Sequence, residues 1–290
     1  MKFRAYETFS LRKGWLHKGL AGIQDDGRLF YYKDSTSMDR LGIGSNMVKA
    51  LKYWLLACGL VREQFVEGRR EMILSEIGQI IWDNDPYFQE IGTYQIIHYL
   101  LSSNKDMATS WYFVFNVFNV TEFSKKDFEN ALKTYISENE NETVPSDRAI
   151  SDDYECVIRT YFNKKDDLDP ESNMVCPLTI LELLSVSKDK TVIKTNPKNL
   201  ILNSNIALAI LINETQKAGK NEIRIADIEK APCNIGRTFN LDNISVSKIL
   251  NQLRNMDSIK VIRTAGLDVI RIKTNFTFTD CVQNYYESIR

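Results

Sequence analysis

Lysines, amides and an aromatic ring share the outer face of one predicted helix. Ser45, Lys49 and Lys52 recur at the spacing that places side chains on the same side of an α-helix, with Asn46 and Tyr53 beside them. Cationic side chains bind phosphates, and amide side chains hydrogen-bond to base edges. The pattern predicts that Lys49 and Lys52 bind phosphates and that Asn46 or Tyr53 approaches a base. A surface helix of no special function also carries lysines outside, which is the alternative interpretation.

Glycines on either side of this helix indicate how the chain positions it. Gly42 and Gly44 predict a tight turn before it, since glycine tolerates positive φ. Ser45 or Asn46 can cap the first turn, and Gly59 is expected to end the helix. A short helix before Gly42 and a turn between the two give the order of a helix-turn-helix.

A predicted β-hairpin follows. Leu60–Val66 and Glu71–Leu74 are β-like runs around the sequence Glu67-Gly-Arg-Arg70. Arg69 and Arg70 therefore stand at the tip of the hairpin, where they are expected to bind phosphates. Helices followed by an arginine-tipped hairpin predict a winged-helix unit at the N-terminal end.

The same order of elements returns from about residue 203. The predicted elements are helices over Asn205–Lys217, Ile225–Ala231 and Ile244–Asn255, then strands over Ile259–Thr264 and Asp268–Thr274 around Ala265 and Gly266. Lys248 and Gln252 share the outer face of the third helix and are expected to bind nucleic acid, while Met256 is expected in the core. Winged helices also serve as protein-interaction modules, so this inference is one of fold analogy.

These elements predict a mainly α (α+β), multi-domain protein with N- and C-terminal winged-helix-like units around a helical middle. The expected boundaries are 1–104 for the N-terminal DNA-binding unit, 105–200 for the middle and 201–290 for the C-terminal unit. Lys2–Phe9 is expected to be extended. His98 lies in an apolar helix and Met107–Val120 is rich in aromatic residues, and both are expected to be structural.

Composition limits the functional classes. The 290 residues carry a net charge of −1, so nucleic-acid binding would have to use local basic patches. The segment Glu138–Asp169 is acidic, which would alternatively suit a protein module for a basic partner. Five dispersed cysteines and two histidines make a zinc site improbable. No signal peptide and no membrane span are recognised, so a cytoplasmic protein is expected, with a homodimer as one option.

Familiar catalytic motifs are absent from the sequence. The chain has no Glu-x-Lys, which a common metal-dependent nuclease arrangement uses. It has no Gly-Lys-Ser/Thr, so no nucleotide cofactor bound by a phosphate loop is expected. The residues alone therefore predict a DNA-binding protein and show no recognisable group of catalytic residues.

Several motifs resemble a bacterial family along nearly the whole chain. They are Tyr6-Glu-Thr-Phe9, Leu11-Arg-x-Gly-Trp-Leu16, Arg40-Leu-Gly-Ile-Gly-x-Asn-Met-Val48, Tyr53-Trp54, Asp85-Pro-Tyr87, Ile97-His-Tyr-Leu-Leu101, Phe115-Asn-Val-Phe-Asn119, Cys156-x-x-Arg-Thr-Tyr161, Cys176-Pro-Leu-Thr179, Gly236-Arg-Thr-Phe239 and Thr264-Ala-Gly-Leu267. They are similar to those of the SspB-type DNA phosphorothioation nickases. One departure is Tyr6, where the family usually has histidine.

The resemblance implies a DNA-nicking, metal-dependent endonuclease of a phosphorothioate-modification system used in phage defence. The cut would open the backbone for sulfur insertion. The implied partners are DNA, a sulfur-transfer enzyme resembling phosphoadenosine-phosphosulfate reductase, a cysteine desulfurase and an ATPase. A non-catalytic DNA-binding adaptor or regulator that recruits the sulfur-transfer enzymes is the alternative, which the missing nuclease motifs favour.

Four residues are candidates for the implied chemistry. Glu7, Arg12 and His17 are neighbours in the opening motif. Glu7 can hold Mg²⁺ or Mn²⁺ or act as a general base, and Arg12 can stabilise developing phosphate charge. Asp85 is the second candidate metal ligand.

Overall fold

This computed structural model describes residues 1–138, 143–163, 175–196, 202–264 and 267–290, and in them it contains thirteen α-helices and eight short strands. The helices are α1 (Trp15–Asp25), α2 (Thr36–Leu41), α3 (Ser45–Ala57), α4 (Glu76–Asn84), α5 (Ile91–Ser102), α6 (Thr109–Tyr112), α7 (Lys125–Ser137), α8 (Asp147–Tyr161), α9 (Ser204–Lys217), α10 (Ile225–Lys230), α11 (Ile235–Thr238), α12 (Asn243–Asn255) and α13 (Phe278–Ser288). The strands are β1 (Val61–Val66), β2 (Arg69–Leu74), β3 (Glu122–Phe123), β4 (Leu184–Val186), β5 (Val192–Lys194), β6 (Glu222–Arg224), β7 (Ile259–Thr264) and β8 (Leu267–Ile272). Helix predominates, so the α+β class is confirmed.

The first helices and hairpin occur in the predicted order. Gly42 ends α2 at φ 60°, and Gly59 follows α3 at φ 67°, a left-handed conformation that favours glycine. The expected cap of α3 is wrong, because Gly44 holds the capping position and Ser45 is already helical. Strands β1 and β2 pair antiparallel, with Val66 opposite Arg69.

The first nine residues differ from the extended conformation expected of them. Residues 5–8 form turns, and Arg4, Glu7 and Thr8 have positive φ. The cause is a buried carboxylate: Asp153 of α8 accepts hydrogen bonds from the Arg4 amide at 2.8 Å and the Tyr6 hydroxyl at 2.9 Å. The chain winds around this group instead of lying flat.

Aromatic side chains fill the centre, as predicted. Trp54 and Trp111 are buried and packed edge to face, with ring centroids 5.3 Å apart. His98 is also buried and structural. Its Nε2 donates to the Thr238 carbonyl at 2.6 Å, and its Nδ1 accepts from the Tyr161 hydroxyl at 2.7 Å. Burial lowers the pKa of His98 to about 4 and keeps the ring neutral.

The middle of the chain adds a helical pair and a small sheet. Strand β5 lies between β3 and β4, and both pairings are antiparallel. Helices α7 and α8 pack against each other beside this sheet. Residues 139–142 of the predicted acidic linker at 138–146, and the predicted charged loop at 163–173 from residue 164 onwards, lie outside the described residues.

The C-terminal segment contains a three-stranded antiparallel sheet in the order β6-β8-β7. Helices α9, α10, α11 and α12 precede the β7–β8 hairpin, whose predicted turn at 265–266 lies outside the described residues. The core assignment of Met256 is wrong, because it follows the end of α12 and is 49% exposed.

Helix α13 connects the end of the chain to its beginning. It packs on α9 and α4, and the Tyr285 hydroxyl accepts a hydrogen bond from the Gly92 amide at 3.0 Å. A Cβ on Gly92 would lie 2.1 Å from the Tyr285 ring, so this contact requires glycine. Among the described residues no helix is long and apolar enough to cross a membrane.

Candidate nucleic-acid interface

The outer face of α3 exposes the predicted polar residues. Ser45, Asn46 and Lys49 are exposed, and 63% of the Lys49 side chain is accessible. Its Nζ lies 3.4 Å from Asn46 Oδ1 and 3.7 Å from Glu7 Oε1. A loose pair of this kind contributes little stability, so Lys49 remains available to an external anion.

Lys52 has a different environment on the same face. Its Nζ lies 2.8 Å from Glu63 Oε1 on β1 and 3.9 Å from the centre of the Tyr31 ring. The Tyr31 hydroxyl also donates to Glu63 at 2.6 Å. Hydrogen bonds from Lys52 and Tyr31 hold the pKa of Glu63 below its usual value. The charge of Lys52 is therefore already compensated, and the ion pair fixes the hairpin beside the outer face of α3.

Tyr53 does not share that exposure. Its side chain is 6% exposed, and its hydroxyl donates to the Met107 carbonyl at 2.9 Å. The expectation that it approaches a base needs correction, because ring and hydroxyl are both engaged inside the protein. Asn46 is the remaining candidate on α3 for a base contact.

The hairpin tip is cationic and also carries an exposed aromatic ring. Glu67 and Gly68 make the turn at φ 50° and 77°, and Arg69 and Arg70 follow in exposed positions. Phe65 is 70% exposed, and the Arg70 guanidinium lies 5.5 Å from the centre of its ring. Sequence reasoning missed Phe65, although its place two residues before the turn Glu67-Gly68 was the available signal.

The outer face of α12 carries the C-terminal candidates. Lys248 and Gln252 are both exposed there. Gln252 Oε1 accepts a hydrogen bond from Ser204 at 3.0 Å, so its amide is partly used within the protein. Lys248 is the more accessible of the two to a phosphate.

The three candidates of the opening motif have separate surroundings. Glu7 lies beside Lys49 of α3. The Arg12 guanidinium lies 5.5 Å from the ring centres of both Phe9 and Trp15. His17 is stacked at 4.7 Å on Tyr87, and its Nδ1 donates to the Pro86 carbonyl at 2.9 Å. Glu7 and His17 thus contact different elements, whereas Glu7 and Lys49 are brought together.

Asp85, one of the two carboxylates predicted to hold a metal, does not fit that role in this arrangement. Asp85 is 5% exposed, and its oxygens accept from the Gln89 amide at 2.7 Å, the Glu90 amide at 3.0 Å and the Thr93 hydroxyl at 2.7 Å. It holds the chain entering α5, as capping carboxylates do. Within the described ranges no three His, Cys, Asp or Glu side chains form a group that could hold a metal ion. We therefore assign no metal-binding role to Asp85.

The fold of this chain is similar to that of proteins with solved structures. No curated protein matches the sequence. The chain is similar to two crystal structures of SspB, one magnesium-bound and one described simply as SspB, at 23% identity to each. The TM-scores are 0.87 and 0.85, and each match covers 100% of this chain and 89% of the other. These values confirm the expected fold relationship. The DUF4007 family model, for proteins of unknown function, matches residues 3–286, and the chain belongs to that family.

Proposed function

We propose that this protein binds DNA through the outer face of α3 and the β1–β2 hairpin. The observation that carries the proposal is the Lys52–Glu63 ion pair at 2.8 Å. It joins the hairpin to the outer face of α3, and on this proposal Lys49, Arg69 and Arg70 face the same duplex. Phosphate contacts from such a surface fix the register of a duplex, and Asn46 is available for a base edge.

The element order supports a winged-helix interpretation of both ends. At the N-terminal end, α1, α2 and α3 precede the β1–β2 hairpin. At the C-terminal end, strand β6 lies between α9 and α10 in the sequence. The sheet order β6-β8-β7 places β6 beside the β7–β8 hairpin. On this interpretation the helix before each hairpin would enter the major groove. That helix is α3 at the N-terminal end and α12 at the C-terminal end, where the short helix α11 makes α12 the fourth helix of its unit. We retain 1–104 and 201–290 as the two proposed units, with 105–200 between them.

Phosphorothioate modification is the process we propose for this DNA binding. The fold matches that of SspB along the whole chain, and the opening motif resembles the phosphorothioation nickases. On this proposal the protein acts with a sulfur-transfer enzyme resembling phosphoadenosine-phosphosulfate reductase and with an ATPase partner. The expected reaction is a single-strand cut that allows sulfur insertion.

Glu7 is the residue we propose for the cut. Its carboxylate lies 3.7 Å from Lys49 Nζ, so a phosphate held by Lys49 would lie near a general base. Glu7→Gln should keep DNA affinity and lose nicking of supercoiled plasmid. The matched control is Glu76→Gln, an exposed glutamate in the first turn of α4. Nicking by Glu7→Gln at the wild-type rate would reject the assignment.

A non-catalytic adaptor is the second candidate. The adaptor is favoured because both candidate carboxylates are engaged within the protein. Asp85 accepts hydrogen bonds from the segment that enters α5, and Glu7 pairs with Lys49. Plasmid relaxation with Mg²⁺ or Mn²⁺, against an EDTA control, separates the two candidates. Nicking that EDTA abolishes supports the endonuclease. DNA binding without any metal-dependent nick in a clean preparation supports the adaptor.

A further inference from the structure

A cavity of about 540 Å³ lies where the small middle sheet meets α10 and α11. Its polar walls come from three cations and three amides: Lys194, Lys230, Arg237, Asn119, Asn196 and Asn240. Among the described residues of the lining, Glu229 is the one acidic residue. Around the cavity the protein therefore carries excess positive charge, although the whole chain has a net charge of −1.

Arg237 brings donors to this cavity that the described protein does not use. Its Nε donates to the Lys230 carbonyl at 2.9 Å. A guanidinium has four further N–H donors, and within the described ranges no carboxylate lies in salt-bridge distance of it. Partial burial without such a partner lowers the pKa of Arg237. The guanidinium is thus half-desolvated and uncompensated.

Lys194 adds a second uncompensated cation. Its Nζ donates to the carbonyls of Val114 and Phe118, at the end of the π-helical turn Phe113–Val117. An ammonium has three donors, so one remains. Burial, and then the nearby charge of Arg237, lower the pKa of Lys194 to about 7. Two like charges without a carboxylate partner are unfavourable unless an anion lies between them.

We infer that this cavity binds a phosphate ester of nucleotide size, held by Arg237, Lys194 and Lys230. Phosphate suits these donors, because it accepts several charge-assisted hydrogen bonds at once. The volume lies within the ~300–1,000 Å³ of ordinary ligand pockets, so it exceeds the needs of an inorganic anion. Val120 and Leu241 supply apolar walls, and Asn119 supplies an amide for a sugar or base. The Asn196 amide already donates to the Ser245 hydroxyl at 3.4 Å. The inference is independent of the α3 surface.

The amides and cations are held by close packing of α10 on α11. A Cβ on Gly236 would lie 2.3 Å from the Glu229 carbonyl oxygen, so glycine allows the two helices to touch. This contact places Lys230, at the end of α10, beside Arg237. No phosphate-loop motif marks the site, because Lys194 on β5 is distant in sequence from Lys230 and Arg237.

Titration calorimetry of the full chain tests the inference. Thymidine 5′-monophosphate and pyrophosphate should bind, and thymidine should not. Lys230→Gln and Arg237→Gln should each weaken binding by at least about tenfold, which corresponds to about 1.4 kcal/mol. Lys188→Gln, an exposed lysine in the β4–β5 turn, is the control and should bind normally. Lys230→Gln removes only an exposed side chain, so it separates loss of binding from misfolding.

Proton uptake gives a second readout. At pH 8 Lys194 is mostly neutral, and a bound anion should raise its pKa and draw up to one proton from the buffer. The apparent heat should then depend on the ionisation enthalpy of the buffer. Lys230, Arg237 and Glu229 are the other charged groups that line the cavity.

Two further probes identify the source of the phosphate. A tetrathymidylate with a 5′-hydroxyl end that binds as well as the mononucleotide would assign the site to a DNA strand. Binding of the mononucleotide alone would assign it to a free nucleotide. The variant Arg69→Gln/Arg70→Gln should leave either interaction intact, which separates this site from the hairpin. The inference would be overturned if no phosphate probe bound, or if Lys230→Gln and Arg237→Gln both bound the probes as tightly as the wild type does.

Discussion

Removing the two arginines of the hairpin tip should change the salt dependence of DNA binding. Arg69 and Arg70 are exposed. Within the described part of the chain neither forms an ion pair of 4 Å or less with a carboxylate, and the charge of Arg70 acts on Glu63 from a longer distance. If each neutralises one phosphate, Arg69→Gln/Arg70→Gln lowers the slope of log K against log salt by about 1.8, at about 0.9 per phosphate. Between 50 and 200 mM salt the wild type should then lose roughly twelvefold more affinity than the variant.

Fluorescence anisotropy with a labelled duplex measures both slopes directly. The matched control is Lys126→Gln/Lys188→Gln, which removes two exposed lysines from α7 and the β4–β5 turn. It should keep the wild-type slope, because neither lysine belongs to the proposed surface. A hairpin variant that also keeps the wild-type slope would refute the reasoning, even if its affinity fell.

Three other perturbations follow from individual contacts. Lys49→Gln should lower the same slope by about 0.9, whereas Lys52→Gln should lower it less, because Lys52 is already paired. Asp153→Asn should remove a pH dependence of stability, measured by denaturant unfolding between pH 4 and 7. Burial raises the pKa of Asp153 to about 6. The protonated carboxyl group therefore contributes fully to the free energy of unfolding below pH ~4, and this contribution falls by up to about 3 kcal/mol as the pH rises to 6. Gly78→Ala should lower the free energy of unfolding by about 1–3 kcal/mol or more, because its Cβ would lie 1.9 Å from a backbone carbonyl oxygen.

Controls separate these effects from general damage. Gly44→Ala adds the same methyl group where no atom lies within 4 Å, so its unfolding free energy should stay within about 1 kcal/mol of wild type. Other carboxylates also titrate between pH 4 and 7. The decisive quantity for Asp153 is therefore the difference between wild type and variant at each pH, and a constant difference would contradict the assignment.

Local patterns predicted the local elements well. The spacing of apolar residues and the flanking glycines placed α3, and the turn Glu67-Gly-Arg-Arg70 placed the hairpin almost residue by residue. The dense aromatic run ending at Val120 is largely core, as its composition indicated. These features depend on neighbours within a few residues, so a single sequence contains the information.

Long-range contacts were not predictable in this way. The turn of the first nine residues depends on Asp153, far along the chain. The pairing of Lys52 with Glu63 and the burial of Tyr53 under Met107 also depend on how elements pack. Helical spacing places Lys49, Lys52 and Tyr53 near one face, but packing decides which of them stays available. The cavity around Arg237 was missed for the same reason.

Photo-crosslinking from the hairpin tests the central claim most directly. A photoreactive phenylalanine in place of Phe65, which is 70% exposed, would report contact between the hairpin and a duplex. The same residue in place of Ile180, 47% exposed in the helical turn Pro177–Leu181, is the control. DNA on the α3–hairpin surface predicts efficient crosslinking from position 65 and little from position 180. Equal crosslinking from both positions, or none from position 65 under conditions where the protein binds DNA, would contradict it.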